Sequence, residues 1–162
     1  MNTVAAILLA EDREEDIILI QKAFEKGGIH NPLFIVRNGD EAMNYLCGIG
    51  RFSDRTQYPL PVLFLLDLKM PGTDGFDVLR WIQTQPYLTG LRTVVLTSSE
   101  SIRDVDTAYK LGATSFLVKP MDFHDTVQMA KTMTHYWLGM NLTSGPRATP
   151  SPQILDPNAG AN

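Results

Sequence analysis

Pro61-Val62-Leu63-Phe64-Leu65-Leu66-Asp67 is an apolar run of strand length that stops abruptly on a carboxylate. The run is continuous rather than alternating, the pattern of a strand covered on both faces. Four more apolar runs recur along the chain: Val4 to Ala10, Leu33 to Val36, Thr93 to Leu96 and Thr114 to Val118. Three of these also stop on polar chemistry, at Glu11-Asp12, at Thr97-Ser98-Ser99 and at Lys119-Pro120.

Helical patterns lie between the runs. Glu14 to Lys26 sets Ile17, Ile18, Ile20, Ala23 and Phe24 near one face, and Asp40 to Leu46 continues with Ala42, Met43 and Leu46. Asp74 to Gln83 carries Phe76, Val78, Leu79 and Ile82. Ser101 to Leu111 opens with Ser101-x-x-Asp104, a variant of the capping box, and stops at Gly112, a natural residue just past a helix end. A last helix runs from about Asp122 to about Leu138. Strict alternation of strand and helix predicts an α/β fold, a doubly wound five-stranded parallel sheet with helices on both faces and right-handed crossovers. Ligands of such sheets bind beyond the carboxyl ends of the strands, where all four polar signatures fall.

Bulk properties agree with one soluble domain. The 162 residues suffice to bury a core without disulfides or metal staples. A formal charge of −4 and the lack of a basic stripe argue against a nucleic-acid binder. Cys47 has no second cysteine to pair with, favours a reducing compartment, and reads as a small core residue within a helix. No signal peptide is expected, because the first apolar run lacks a basic flank and meets Glu11-Asp12 directly. Without a run of about 18 apolar residues, no membrane span is expected either, and the protein is expected in the cytoplasm. The expected division is a domain over 1–142 and a disordered tail over 143–162, rich in Pro, Gly, Asn, Ser and Thr. Gly48 to Pro59 reads as a polar inserted loop.

The polar signatures each have a plain structural alternative. Glu11-Asp12 suits the start of a helix through its dipole, and Thr97 with its two serines suits a helix cap. Asp67 suits a turn, although Pro71 and Gly72 in Lys69-Met70-Pro71-Gly72 already restrict that turn. Taken together they say more. Three acids meeting at one edge repel one another unless a cation joins them, and Mg2+ prefers oxygen ligands beside phosphate. Asp12 and Asp67 are the expected direct ligands, Glu11 an outer one, and the Lys69 backbone carbonyl a further oxygen. A carboxylate beside such a metal is able to attack phosphorus and become an aspartyl phosphate. Lys119 would offset charge on the phosphoryl oxygens, and Thr97 would donate its hydroxyl to one of them. Pro120 keeps Lys119 out of helical geometry, and a cis bond between them is one way of aiming the side chain inward. The histidines His30, His124 and His135 have no metal spacing.

With these residues assembled, the chain resembles a response-regulator receiver domain of two-component signalling, over roughly Val4 to Leu138. The resemblance rests on Glu11-Asp12, on Asp67-x-x-Met70-Pro71-Gly72-x-Asp74-Gly75, on Thr97-Ser98 and on Lys119-Pro120, with Thr97 30 and Lys119 52 residues after Asp67. It implies that Asp67 accepts a phosphoryl group from a partner histidine kinase or phosphotransfer protein and that the acyl phosphate hydrolyses slowly. It further implies a conformational switch through Thr97 and Phe116, with Ser98 and Lys119 beside the phosphate. The long interval between Asp12 and Asp67, and the lack of an output module, are similar to small regulators paired with cyanobacterial or bacterial phytochromes.

In the last helix, Phe123, Val127, Ala130 and Trp137 form one stripe, widened by Met129, Met133, Tyr136 and Met140. The width suits either a homodimer or kinase contact or deeper burial against the neighbouring helix. Three rival functions are weighed. A phosphohydrolase passing through aspartyl phosphate lacks a second acid near Asp67, since Leu68-Lys69 follows it. A flavin-carrying module would seat an anionic cofactor against carboxylates. A receiver-like scaffold that is never phosphorylated would have no use for the complete acidic set.

Overall fold

The computed structural model describes residues 5–139. The expectations placed on 143–162, the position of Val4 and the widening of the last helix by Met140 lie outside the described residues. Five parallel strands form one sheet: β1 (Ile7–Ala10), β2 (Leu33–Val36), β3 (Leu63–Leu66), β4 (Arg92–Thr97) and β5 (Ser115–Val118), in the order β2-β1-β3-β4-β5. Five α-helices alternate with them: α1 (Glu14–Lys26), α2 (Gly39–Cys47), α3 (Gly75–Gln83), α4 (Ile102–Lys110) and α5 (Phe123–Thr134). A single π turn, His135–Gly139, continues α5, and short 3-10 turns cover Gly50–Phe52 and Pro86–Leu88.

The unbroken apolar character of β1 and β3 has the expected cause. Every residue of both strands is buried, and successive side chains go to opposite cores. Leu8, Ala10, Phe64, Leu66 and Val95 pack on the side of α2 and α3, while Ile7, Leu9, Leu63, Leu65, Val94 and Leu96 pack with Ile20, Phe24, Ala130 and Met133 of α1 and α5. Burial of a Leu or Phe side chain contributes roughly 1.5–3 kcal/mol, so the two central strands anchor both layers.

Helix ends follow sequence chemistry closely at two places. Asp74 caps α3 by accepting from the Asp77 N–H at 2.9 Å, and Asp77 reciprocates by accepting from the Asp74 N–H at 3.2 Å. At the end of α4, the Ala113 and Gly112 amides donate to the Ala108 and Tyr109 carbonyls, with Gly112 at φ +96°, a left-handed terminus that suits glycine. The expected capping box at the start of α4 does not form. Ser101 makes no side-chain cap, and the Asp104 carboxylate, the other half of the box, accepts from the Ser99 hydroxyl at 2.6 Å and lies 3.8 Å from the Lys69 ammonium.

The inserted segment is far less polar in its packing than its composition suggests. Phe52 is buried and joins Phe34, Tyr45 and Tyr58 in an aromatic group with ring centroids 5.1–6.0 Å apart. Arg55 fastens the segment by donating to the Tyr45 and Leu46 carbonyls at the end of α2, both at 2.7 Å, and to the Tyr58 carbonyl at 3.1 Å. Gly48 is required beneath it: its φ is +69°, and a Cβ there would lie 2.8 Å from the guanidinium. Cys47 is in a helix as expected, but it is exposed rather than part of the core, because the last turn of α2 directs it toward the exposed Tyr87, whose hydroxyl lies 3.6 Å from the sulfur.

The last helix settles the question of its width for the residues described. Val127, Ala130, Met133 and Trp137 are all buried within the chain, and Met129 and Tyr136 pack partly against the same core. Phe123 is the stripe residue left exposed.

Candidate functional site

Chain order places β2 and β3 on opposite sides of β1, so the sheet reverses direction of winding between β1 and β3. A crevice at that reversal is where open parallel sheets hold their ligands. Glu11 and Asp12 leave β1 there, and Asp67 leaves β3 beside them, its amide donating to the Ala10 carbonyl at 3.1 Å. Carboxylate oxygens of Glu11, Asp12 and Asp67 all lie within 4.8 Å of one another. Glu11 is fully buried and Asp67 is 3% exposed.

Helix α3 closes tightly on this edge. Gly75 permits it, because a Cβ at that position would sit 2.4 Å from the Asp67 carbonyl oxygen and 2.7 Å from the Leu68 Cα. The Lys69 amide donates to Asp67 Oδ1 at 3.3 Å, which orients the carboxylate.

Lys119 enters from the end of β5, where its amide donates to the Thr97 carbonyl at 2.8 Å. Its ammonium donates to Glu11 Oε2, to Asp16 Oδ2 at 2.9 Å and to Asp67 Oδ2 at 3.5 Å. No cis peptide bond occurs among the described residues, so the Lys119-Pro120 bond is trans. Strand pairing and three carboxylates turn the side chain inward without isomerisation. Burial pushes the Glu11 carboxyl up to about 7, with the charge of Asp67 acting in the same direction and the hydrogen bonds from Lys119 and Arg13 opposing. Burial works against the Lys119 ammonium too, but its bonds to Glu11 and Asp16 and the charge of Asp67 outweigh that and raise its pKa.

One atom in this group stands apart. Asp12 Oδ1 is buried and has no hydrogen-bond partner among the described residues, an arrangement costly enough to require an explanation. A hard divalent cation supplies one: three clustered carboxylates, one of them carrying a buried oxygen without a hydrogen bond, form a donor set suited to Mg2+ or Mn2+.

Thr97 ends β4 fully buried, and its Oγ1 accepts from the Ser99 amide at 3.4 Å. Phe116 lies on β5 paired with Val95, partly buried against the core on the α3 side. Ser98 is exposed. Thus the structure brings Glu11, Asp12, Asp67 and Lys119 together directly, while Thr97 ends the neighbouring strand β4 and Ser98 and Lys69 stand on the adjoining loops. Sequence reasoning missed Asp16. Its signal was an acid one helical turn beyond Asp12, and only the phase of α1 shows that it faces Lys119 rather than water.

The model of the response regulator receiver domain matches residues 7–131. The chain belongs to that family. Among receiver-domain relatives, the probable methanogenesis regulatory protein FilR2 of Methanothrix harundinacea is 37% identical over 140 residues, 86% of this chain and 88% of that protein. Response regulator Rcp1 of Synechocystis is 35% identical over 137 residues, 85% of this chain and 91% of its own; the solved Mn(2+)-bound form of Rcp1 is similar at TM-score 0.74, with 34% identity, over 89% of this chain and 99% of that one. The phosphorylated cyanobacterial phytochrome response regulator RcpA matches at TM-score 0.79 and 32% identity, over 92% of this chain and 100% of that one. As a receiver domain, the chain is a component of two-component signalling. No described helix is long and apolar enough to cross a membrane.

Proposed function

We propose that Asp67 is the phosphoacceptor of this receiver and that Glu11, Asp12, Asp67 and the Lys69 backbone carbonyl hold the Mg2+ that the transfer needs. The observation that carries this reading is the buried, unpartnered Asp12 oxygen beside Glu11 and Asp67, with an ammonium already at the rim. An Asp67 oxygen attacks the phosphorus of a phosphohistidine, an O–P bond forms, the N–P bond breaks, and the leaving imidazole nitrogen takes up a proton. Bound Mg2+ would supply positive charge to the phosphoryl oxygens. Lys119 adds a second positive charge, and Thr97 and Ser98 donate hydroxyls or amides at the end of β4. The transfer is stoichiometric, and hydrolysis of the acyl phosphate resets the domain, so no external substrate is turned over.

The donor is a histidine kinase, of phytochrome type by analogy with Rcp1 and RcpA, meeting the receiver in the cytoplasm. Drawing Thr97 toward the phosphoryl group vacates space on the face it shares with Phe116, whose inward turn alters the surface around β5 and α5. Exposed Ile102, Val118, Met121 and Phe123 lie on α4, on β5, in the loop after it and at the start of α5, where a partner or a second copy would read the change. Incubation with phosphoramidate, a small P–N donor, and MgCl2 tests the reading by intact mass. One phosphoryl group per chain is expected, lost in Asp67→Asn; equal uptake by Asp67→Asn would remove Asp67 from the role.

A further inference from the structure

Lys119 is a potential competitor of the very cation it assists. An ammonium and a divalent metal seek the same carboxylate oxygens, and a lysine on a flexible stem reaches several positions in one cleft. If the ammonium settled amid Asp12 and Asp67, it would neutralise the site and block it. In the observed geometry the ammonium donates to Glu11 and reaches Asp67 at 3.5 Å, but its remaining bond goes to Asp16 and not to Asp12, whose Oδ1 has no partner among the described residues.

We infer that Asp16 is a positioning residue that draws the Lys119 ammonium to the α1 side of the cleft and so keeps the acidic site open to Mg2+. This deepens, and rests on, the assignment of the cation site above. Asp16 is suited to the task because it stands in the first turn of α1, is fixed by the helix, and keeps only about a quarter of its side chain exposed. Its second neighbour, the Arg13 guanidinium at 3.9 Å, lies on the solvent side and does not enter the cleft. When Asp16 cannot bind an ammonium, the acceptors left for Lys119 besides Glu11 are the oxygens of Asp67 and Asp12, within 4.8 Å of the Glu11 ligand oxygen. Lysine then occupies the metal's ligands.

Removing Asp16 also removes a negative charge near the metal, which weakens cation binding without any competition. A double-mutant cycle separates the two causes. The probe is MgCl2 titrated calorimetrically into the metal-free full chain as wild type, Asp16→Asn, Asp16→Glu, Lys119→Gln and the double variant Asp16→Asn with Lys119→Gln. Expected are a loss of Mg2+ affinity of about tenfold in Asp16→Asn and of less than about threefold in Asp16→Glu, and a change of less than about twofold when Asp16→Asn is made on Lys119→Gln. Equal losses in both backgrounds would reduce Asp16 to a distant charge, and no loss in Asp16→Asn would remove it altogether; either overturns the inference while leaving the cation site intact. Failure of wild type to bind Mg2+ would overturn the cation site itself, and this inference with it.

Discussion

Glu11 is the most deeply buried carboxylate of the site. Its carboxyl ordinarily titrates near 4.5 and is pushed up to about 7 in the folded chain by burial. A raised acid binds more protons when folded than when unfolded between those two values, so metal-free stability falls as pH rises from about 4.5 to 7. Mg2+ favours the ionised form and acts in the opposite sense. The increase in melting temperature from 10 mM MgCl2 over EDTA is therefore expected to be larger at pH 8 than at pH 6; an increase independent of pH would remove Glu11 from the cation site. The Thr97 hydroxyl is buried and takes only a 3.4 Å bond from the Ser99 amide, so it is available for a phosphoryl oxygen. Phosphorylation of wild type should shift affinity for its partner by about tenfold, and of Thr97→Ala by less than about twofold, at matched occupancy of Asp67. Equal shifts would show that the signal does not pass through Thr97.

Among the elements, strands were more legible than what lies between them. A run such as Leu63 to Leu66, buried on both faces, has to be apolar throughout, and its abrupt end on Asp67 marks the sheet edge. The four site signatures were readable for the same reason: a strand fixes where its next residue stands. Helix phase and long-range stapling leave weaker traces. Asp16 is one of three acids in the first turn of α1 and the sequence alone does not single it out among them, and Asp104 reads as part of a capping box although its carboxylate meets Ser99 and Lys69. Arg55 gave no signal at all, because its acceptors are backbone carbonyls of Tyr45, Leu46 and Tyr58 that any sequence would supply. Its role makes a clean prediction. Arg55→Ala removes the charged hydrogen bonds to the Tyr45, Leu46 and Tyr58 carbonyls and loosens the aromatic group around Phe52, at a cost of about 2–3 kcal/mol in urea unfolding. Mg2+ affinity should stay within about twofold, since the segment is stapled to the end of α2 and makes no hydrogen bond to the acidic group. A large loss of Mg2+ affinity would mean that the segment also shapes the site.

At the scale of the whole molecule, a rigid central sheet holds a charged edge that the fold itself does not satisfy. Buried Glu11 and Asp67, an unpartnered Asp12 oxygen and an ammonium shared by Glu11, Asp16 and Asp67 form an edge whose chemistry suits a cation and a phosphoryl group. Occupation of that edge then shifts the balance between two surface conformations, by as much as the ligand's differential contacts allow. The central claim is that phosphorus is carried by the Asp67 carboxylate under metal control. Its most direct test is to phosphorylate the chain with a small donor, reduce the acyl phosphate with borohydride, which converts an acylated carboxyl to an alcohol, and locate the change by peptide mass mapping. The account predicts reduction at position 67 alone, abundant with MgCl2 and nearly absent with EDTA; reduction at another carboxylate, or an equal yield without metal, would contradict it.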